Sequence, residues 1–142
     1  YLSTGLINLN EIKKTLKYLQ NTEVVIMHCV SEYPLMYKNA NLLAIRTLIN
    51  EFSSHEIGYS DHSIGNLACI VAVSLGASVL EKHFTLNKKM KGTDHILSAD
   101  LDDLILMRRE VDNIVNLMGI EKKEPTKKEL KIKKFLFNRF KN

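Results

Sequence analysis

The sequence predicts an α/β protein built on a parallel sheet, and three observations support that prediction. Strand-like and helix-like segments alternate along the chain, as they do in successive βα units. Residues 24–30 form a nearly unbroken apolar run rich in β-branched residues, which is typical of a strand covered on both faces. The chain has 142 residues, whereas a closed eight-unit barrel needs about 250. We therefore expect a partial (β/α)8 TIM barrel of about four βα units, the first of them truncated.

The first two units are predicted from residues 1–52. Ser3-Thr4-Gly5 resembles the end of a strand already under way, and the chain does not begin with Met, so we expect a piece of a longer protein. Asn8 and Glu11 have the spacing of a capping box at the start of a helix. The strand at residues 24–30 ends before Tyr33-Pro34, because proline cannot donate to a ladder. Apolar residues at helical spacing then predict a second helix over residues 42–52.

The last two units follow the same order. Residues 56–62 predict a short strand with a polar end, and a helix opens at Gly65-Asn66 and closes at Gly76. Residues 78–85 predict the next strand. A charged, glycine-containing loop then leads to a long helix ending at Gly119.

Composition narrows the class of protein. The chain is 45% hydrophobic and 25% charged, and no apolar run approaches the roughly 20 residues needed to cross a bilayer. Cys29 and Cys69 lie within apolar runs without CxxC spacing, which favours small core residues in a reducing compartment. We expect a cytoplasmic protein with no membrane partner.

The positive charge is concentrated at the carboxyl end. The chain carries a net charge of +4, yet residues 121–142 hold nine Lys and Arg against three Glu, which leaves residues 1–120 slightly acidic. This distribution favours a basic helix or linker over residues 120–142, outside a barrel portion over residues 1–119. It argues against nucleic acid as the partner of the folded body.

Two histidines end neighbouring predicted strands. His62 closes residues 58–62, and His83 lies near the end of residues 80–85. The carboxyl ends of adjacent parallel strands lie side by side, so the two imidazoles are expected at one mouth. Two neutral imidazoles with no cysteine nearby can hold a divalent cation and leave coordination positions for water and substrate oxygens. The alternative for each histidine alone is a hydrogen-bonded core or rim residue, and strand parity directs His28 to the helix side as a structural residue.

The same alternation sorts the neighbours of the histidines. If His83 faces the interior, Glu81 does too, while Lys82 faces the helices. By the same parity Ser60 shares the face of His62.

Small hydroxyls at strand ends are candidates for binding a phosphate or carboxylate, since backbone amides of βα turns lie close by. These residues are Ser3, Ser31 and Ser60. Tyr33 and Asp94 are candidates for hydrogen bonds to a polyol, and each has a purely structural alternative as a packing or loop residue.

Five blocks of the sequence together resemble the sialic acid synthase family, in the order seen there. They are STG (residues 3–5), HCVSEYP (28–34), GYSDHS (58–63), GASVLEKHFTL (76–86) and GTDH (92–95). The family includes N-acetylneuraminate, legionaminate and pseudaminate synthases. The resemblance covers residues 1 to about 119 and implies the second half of the catalytic barrel.

The resemblance implies an activity and its participants. Phosphoenolpyruvate condenses with an open-chain N-acetylated amino sugar, N-acetylmannosamine or a related dideoxy sugar, to give a nine-carbon 2-keto acid and phosphate. A divalent metal, manganese or alternatively magnesium, polarises the sugar aldehyde. The full-length protein is expected to be a homodimer, with an antifreeze-like domain beyond the basic linker. Because the first barrel half and that domain are absent here, the fragment alone is expected to be inactive.

The resemblance also assigns residues, position by position. The metal ligands fall on His62 and His83, the phosphoenolpyruvate contacts on Ser3, Ser31 and Ser60, and the sugar-side contacts on Tyr33 and Asp94. Asp61 and Glu81 are expected to support the ligands from behind.

Three other readings stay open. Another phosphoenolpyruvate-dependent aldol-type synthase is disfavoured by the blocks at residues 59–63 and 81–84. A two-histidine metal hydrolase on a similar barrel would not explain why three serines suited to binding phosphate lie at the strand ends. A non-catalytic fragment or interaction module would use its open strand edges to recruit a partner.

Overall fold

The structure is a computed structural model that describes residues 1–140. Its four strands form one parallel sheet in the order β1-β2-β3-β4. The strands are β1 (Leu2–Ser3), β2 (Val25–Cys29), β3 (Glu56–Asp61) and β4 (Val79–Lys82). The helices are α1 (Leu9–Leu16), α2 (Ala44–Glu51), α3 (Leu67–Ser74), α4 (Leu101–Met118) and α5 (Lys127–Arg139), with a 3-10 turn at Tyr37–Asn39 before α2. The predicted succession of βα units is confirmed.

Helix boundaries follow the local signals in the sequence. The Asn8 side chain accepts a hydrogen bond from the Glu11 amide, and the Glu11 carboxylate accepts one from the Asn8 amide, so the predicted capping box starts α1. Gly76 and Gly119 have φ values of 107° and 58° just after α3 and α4, in the region that favours glycine. Both predicted helix ends are therefore confirmed.

The hydrophobic core lies between the sheet and the helices α1 to α3. Its strand members are alternate residues that point away from the candidate site: Ile26, Ile57 and Tyr59. Its helix members are Ile12, Ile45, Leu48, Ala68, Cys69 and Ala72. Each strand thus presents one face to this core and leaves the opposite face for other side chains.

The last strand is shorter than the sequence predicts. A strand was expected over residues 78–85, but β4 ends at Lys82. Beyond it the chain bonds to the segment before α4: the Ala99 amide donates to the His83 carbonyl (2.7 Å) and the Thr85 amide donates to the Ala99 carbonyl (2.9 Å). These bonds to Ala99 replace a ladder with a neighbouring strand, so His83 lies just outside the sheet.

The carboxyl-terminal helix has no buried side chain. α5 begins at a capping box formed by Thr126 and Glu129, and all its residues are exposed. The basic segment is therefore helical, which is one of the two forms expected for it, and its role as a linker stays a prediction. Within residues 1–140, no helix is both long enough and apolar enough to span a membrane.

Candidate active site at the carboxyl ends of the strands

Strand register arranges the site-facing residues in tiers. The lowest tier consists of Ser3, Met27, Gly58 and Val79. Two residues further along the strands, the middle tier consists of Cys29, Ser60 and Glu81. Side chains alternate between faces, so the next residues on this face are Ser31, His62 and His83. They form the rim of the mouth, at the end where α/β barrels carry their chemistry.

His62 is held in one orientation by main-chain contacts. Its Nδ1 lies 2.9 Å from the carbonyl oxygen of Val30. A carbonyl only accepts, so Nδ1 carries the proton, and Nε2 keeps a free lone pair. The main-chain carbonyl of His62 in turn accepts a hydrogen bond from the Leu35 amide at 2.8 Å. The ring is thus preset as a potential ligand through Nε2.

His83 lies beside His62, as the adjacent strand ends predict. The two ring centroids are 5.4 Å apart and the rings are nearly perpendicular, at 85°. Nδ1 of His83 is 3.9 Å from a carboxylate oxygen of Asp94. Asp94 and His95 line a cavity of about 350 Å³ that opens against His83. His95 itself is turned to Thr85, whose hydroxyl lies 2.8 Å from its Nδ1.

Tyr33 completes an aromatic group with the two histidines. Its ring centroid is 4.0 Å from that of His62 and 5.9 Å from that of His83. Partial desolvation raises the pKa of the Tyr33 phenol, and the nearby carboxylates Asp94 and Glu81 add to the effect. The phenol therefore stays protonated at neutral pH and can donate a hydrogen bond.

Of the three predicted serines, Ser31 and Ser60 both lie beside Cys29, and Ser3 lies one tier lower. The Ser60 hydroxyl donates to Glu81 at 2.6 Å. Ser31 lies against Gly5, where an added Cβ would overlap the Ser31 hydroxyl. Ser3 is paired with Met27, one tier below Ser60.

Cys29 lies among these groups on the site face and is only partly buried, although the sequence suggested a core residue. Burial is the main reason that the pKa of its thiol is raised, and the neighbouring hydroxyls of Ser60 and Ser31 act in the opposite direction. The alternation of side chains along β2 could have predicted this position, because it places Cys29 on the same face as Ser31. His28, one residue earlier, faces the helices as predicted, and its Nε2 lies 2.9 Å from the Ala40 carbonyl.

A buried ion pair lies behind the histidines, on the helix side of the sheet. Lys82 Nζ is 2.6 Å from Asp61, and the side chains are 2% and 0% exposed. Burial alone would raise the pKa of Asp61, but hydrogen bonds from Lys82 and from the Ser63 amide outweigh it and lower that pKa. Asp61 therefore supports the turn that carries His62 and does not reach the mouth itself. Strand parity predicts only that Lys82 faces the helices, and not that it pairs with Asp61.

The two histidines do not form a metal cage by themselves. Within residues 1–140, no group of three or more histidine, cysteine or carboxylate side chains could hold a metal ion. His62 and His83 thus offer two nitrogens, and other ligands would come from water, substrate or residues beyond the described part. Two carboxylates lie on this side of the sheet: Asp94, beside His83, and Glu81, which is bonded to Ser60.

This fold and the placement of its polar groups are those of an α/β barrel enzyme whose reactive end is formed by the carboxyl ends of its strands. A sequence model of the NeuB family matches residues 1–123, and the chain belongs to that family. This confirms the resemblance on which the residue assignments depend.

Curated relatives agree with this membership. The chain is 37% identical over 139 residues to the N,N'-diacetyllegionaminic acid synthase of Legionella pneumophila, an alignment that covers 93% of this chain and 39% of that protein. It is 34% identical over 137 residues to the pseudaminic acid synthase of Helicobacter pylori, covering 94% and 40%. An uncharacterized protein of Methanocaldococcus jannaschii is 43% identical over 131 residues, covering 90% and 39%. The chain thus spans about two fifths of the length of these relatives.

Solved structures show the same fold. The N-acetylneuraminic acid synthetase of Leptospira borgpetersenii, crystallised with citrate, superposes with a TM-score of 0.85 at 34% identity, over 94% of this chain and 47% of that one. A spore coat polysaccharide biosynthesis protein of Bacillus subtilis gives 0.77 at 32% identity, over 90% and 37%. The prediction of a partial TIM barrel is confirmed.

Proposed function

We propose that the intact protein condenses phosphoenolpyruvate with an N-acetylated amino sugar to form a sialic acid-type nonulosonate. The balanced reaction joins the enol carbon of phosphoenolpyruvate to the sugar aldehyde carbon, adds water at the carbon that bore the phosphate, and releases inorganic phosphate. The observation that carries the proposal is the pair of histidine rings 5.4 Å apart at the strand ends of a NeuB family chain. The relatives named as legionaminic and pseudaminic acid synthases support this reaction class.

His62 and His83 fit a divalent metal, manganese or alternatively magnesium. The Nδ1 proton of His62 is committed to Val30, which leaves Nε2 for a ligand bond. Asp94 lies on the Nδ1 side of His83, the usual place for a carboxylate that orients a ligating imidazole. When bound, such a cation supplies Lewis acidity towards the sugar aldehyde.

The other side chains bind and orient the substrates. Ser31 offers a hydroxyl donor for the phosphate or carboxylate of phosphoenolpyruvate. Ser60 is assigned a contact by resemblance, and its single hydroxyl proton, which Glu81 accepts here, would turn from Glu81 to the substrate for Ser60 to donate. Ser3 is assigned the same role by resemblance, from one tier lower. Tyr33 donates to, and Asp94 accepts from, hydroxyls of the sugar.

The 142-residue chain alone is proposed to be inactive. Phosphoenolpyruvate carries two anionic groups, whereas Glu81 and Asp94 bring two carboxylates to this mouth. Cationic groups from the rest of the barrel are needed to offset that charge. In the intact protein, residues 120–142 would lead to an antifreeze-like domain in a homodimer.

Phosphate release from phosphoenolpyruvate tests the proposal in the intact protein. The acceptors are N-acetylmannosamine and its dideoxy diacetamido analogues, each with and without manganese. We expect release that depends on both acceptor and metal. His62→Ala and His83→Ala should each reduce it by at least about 100-fold, because each removes one of the two nitrogen ligands.

The matched control is His55→Ala. His55 lies in the loop before β3, hydrogen-bonded to Ser54, and its replacement should leave the rate unchanged. Full activity in either the His62 or the His83 variant would contradict the metal assignment. No release with any of these acceptors would contradict the proposed reaction.

A further inference from the structure

We propose that Lys82 is a positioning residue that holds the His62 and His83 rings at the separation needed to share one cation; this inference rests on the proposed function. Lys82 immediately precedes His83 in the chain. Its ammonium donates to the Asp61 carboxylate at 2.6 Å and to the Ser63 carbonyl at 2.8 Å. Asp61 and Ser63 are the residues on either side of His62. The Lys82 side chain thus links the residue before His83 to Asp61 and Ser63, the two residues that flank His62.

The contacts of Lys82 with Asp61 and Ser63, here called the Lys82 tie, connect β3 and β4 at the point where their backbone pairing ends. The described backbone register of the two strands ends at the pair Asp61 and Lys82. His62 turns instead to the β2 side, through its Nδ1 bond to Val30 and its carbonyl bond from Leu35. His83 is bonded to Ala99 on the other side. Without Lys82, the position of His62 would be set by Val30 and Leu35 and that of His83 by Ala99, with no direct connection between the two.

The Lys82 tie is also buried and shielded from water. The Asp61 carboxylate is fully buried and accepts further hydrogen bonds from Tyr59, Ser63 and Cys69. The Lys82 side chain is 2% exposed, so water does not compete for its protons. Replacing a buried ion pair by apolar residues is often neutral for stability, so we assign this pair a role in fixing geometry.

The test uses a double variant that removes both charges. Lys82→Met alone would leave the Asp61 carboxylate buried without its cation, which strongly destabilises a fold. Asp61→Asn combined with Lys82→Met avoids that penalty and still cuts the tie to Ser63. The matched control is Lys13→Met with Glu51→Gln, which removes an exposed ion pair between α1 and α2.

Two measurements are made on the intact protein and its variants: Mn²⁺ affinity by electron paramagnetic resonance titration, and the crystal structure of the double variant. We expect the affinity to fall about 10- to 100-fold. We also expect the His62 ring to leave its 2.9 Å bond to Val30 or its 5.4 Å distance from His83. The control should match the unmodified protein in both respects.

Unchanged affinity and unchanged ring positions in the folded double variant would overturn the inference. If the unmodified protein binds no Mn²⁺, the metal assignment fails separately, and the ring positions alone decide the role of Lys82. Lys82→Arg is the second variant, should the double variant not fold. A guanidinium can reach both Asp61 and Ser63, so we expect Lys82→Arg to keep the ring separation, and a displaced His62 there would overturn the inference.

Discussion

At the residue scale, His28 shows how burial makes stability depend on pH. It lies on the helix side of β2, buried against Tyr59, with Nε2 donating to the Ala40 carbonyl. Burial lowers the pKa of His28 below its ordinary value, since the desolvated ring resists protonation. The unfolded chain therefore takes up this proton before the folded chain does as the pH falls.

We predict that the free energy of unfolding decreases below about pH 6.5, with a contribution from His28 of up to about 1.4 kcal/mol per pH unit. That contribution is fully present above pH 6.5 and is lost as the pH falls. Urea unfolding between pH 5 and 8 measures it, a range in which Asp61 stays charged because its pKa is lowered. In His28→Gln the dependence on pH should be shallower, while His55→Gln serves as control. Equal slopes in the protein and in His28→Gln would refute the assignment.

Residue placement was predictable where strand parity decides it. Alternation along β2 to β4 put His28 and Lys82 on the helix side and Ser60, Glu81 and the rim histidines on the other. Parity says nothing of the reach of a side chain, so the contact of Lys82 with the Ser63 carbonyl could not be foreseen. Parity also does not say how far along the strands a residue lies. For this reason it does not separate Ser3 from Ser31 and Ser60, which lie nearer the carboxyl ends.

At the element scale, two similar helix starts have different consequences. Asp100 and Asp103 form a capping box at the start of α4, which packs on α3 and contributes Met107 to the core boundary. Thr126 and Glu129 form the corresponding box of α5, none of whose side chains is buried. α4 is therefore stabilised by packing as well as by its cap, whereas α5 depends on local interactions.

We predict that Asp100→Ala lowers the global free energy of unfolding by about 1 kcal/mol. Thr126→Ala should leave that free energy unchanged, because losing the cap of an exposed helix affects only the helix. Its effect should be faster hydrogen exchange confined to α5, measured by mass spectrometry. A global destabilisation by Thr126→Ala as large as that by Asp100→Ala would show that α5 packs on the body of the protein.

Element types and order were predictable from periodicity, caps and glycines, but strand length was not. The residues after Lys82 have strand-like composition, and only the bonds of His83 and Thr85 to Ala99 show that the chain leaves the sheet there. Those bonds join positions more than ten residues apart, and pattern within a segment carries no information about such partners.

At the scale of the whole molecule, the described helices and the candidate site lie on opposite faces of the sheet. Helices cover one face, and β1 and β4 are its outermost strands in the described residues. Parallel sheets are normally covered on both faces. The chain covers 47% of the matched Leptospira borgpetersenii synthetase chain, so a large part of that barrel has no counterpart here. The half-barrel extent was predictable from chain length, while the acidic character of the mouth required the positions of Glu81 and Asp94.

Because β2, β3 and β4 end at one mouth, His62 and His83 lie side by side. Electron spin echo spectroscopy of the Mn²⁺-loaded intact protein tests most directly whether the two rings bind one metal ion. We predict modulation from two imidazole nitrogens bound to a single manganese, reduced to one nitrogen in His62→Ala and likewise in His83→Ala. Bound manganese without imidazole coupling, or coupling that both variants retain in full, would contradict the account.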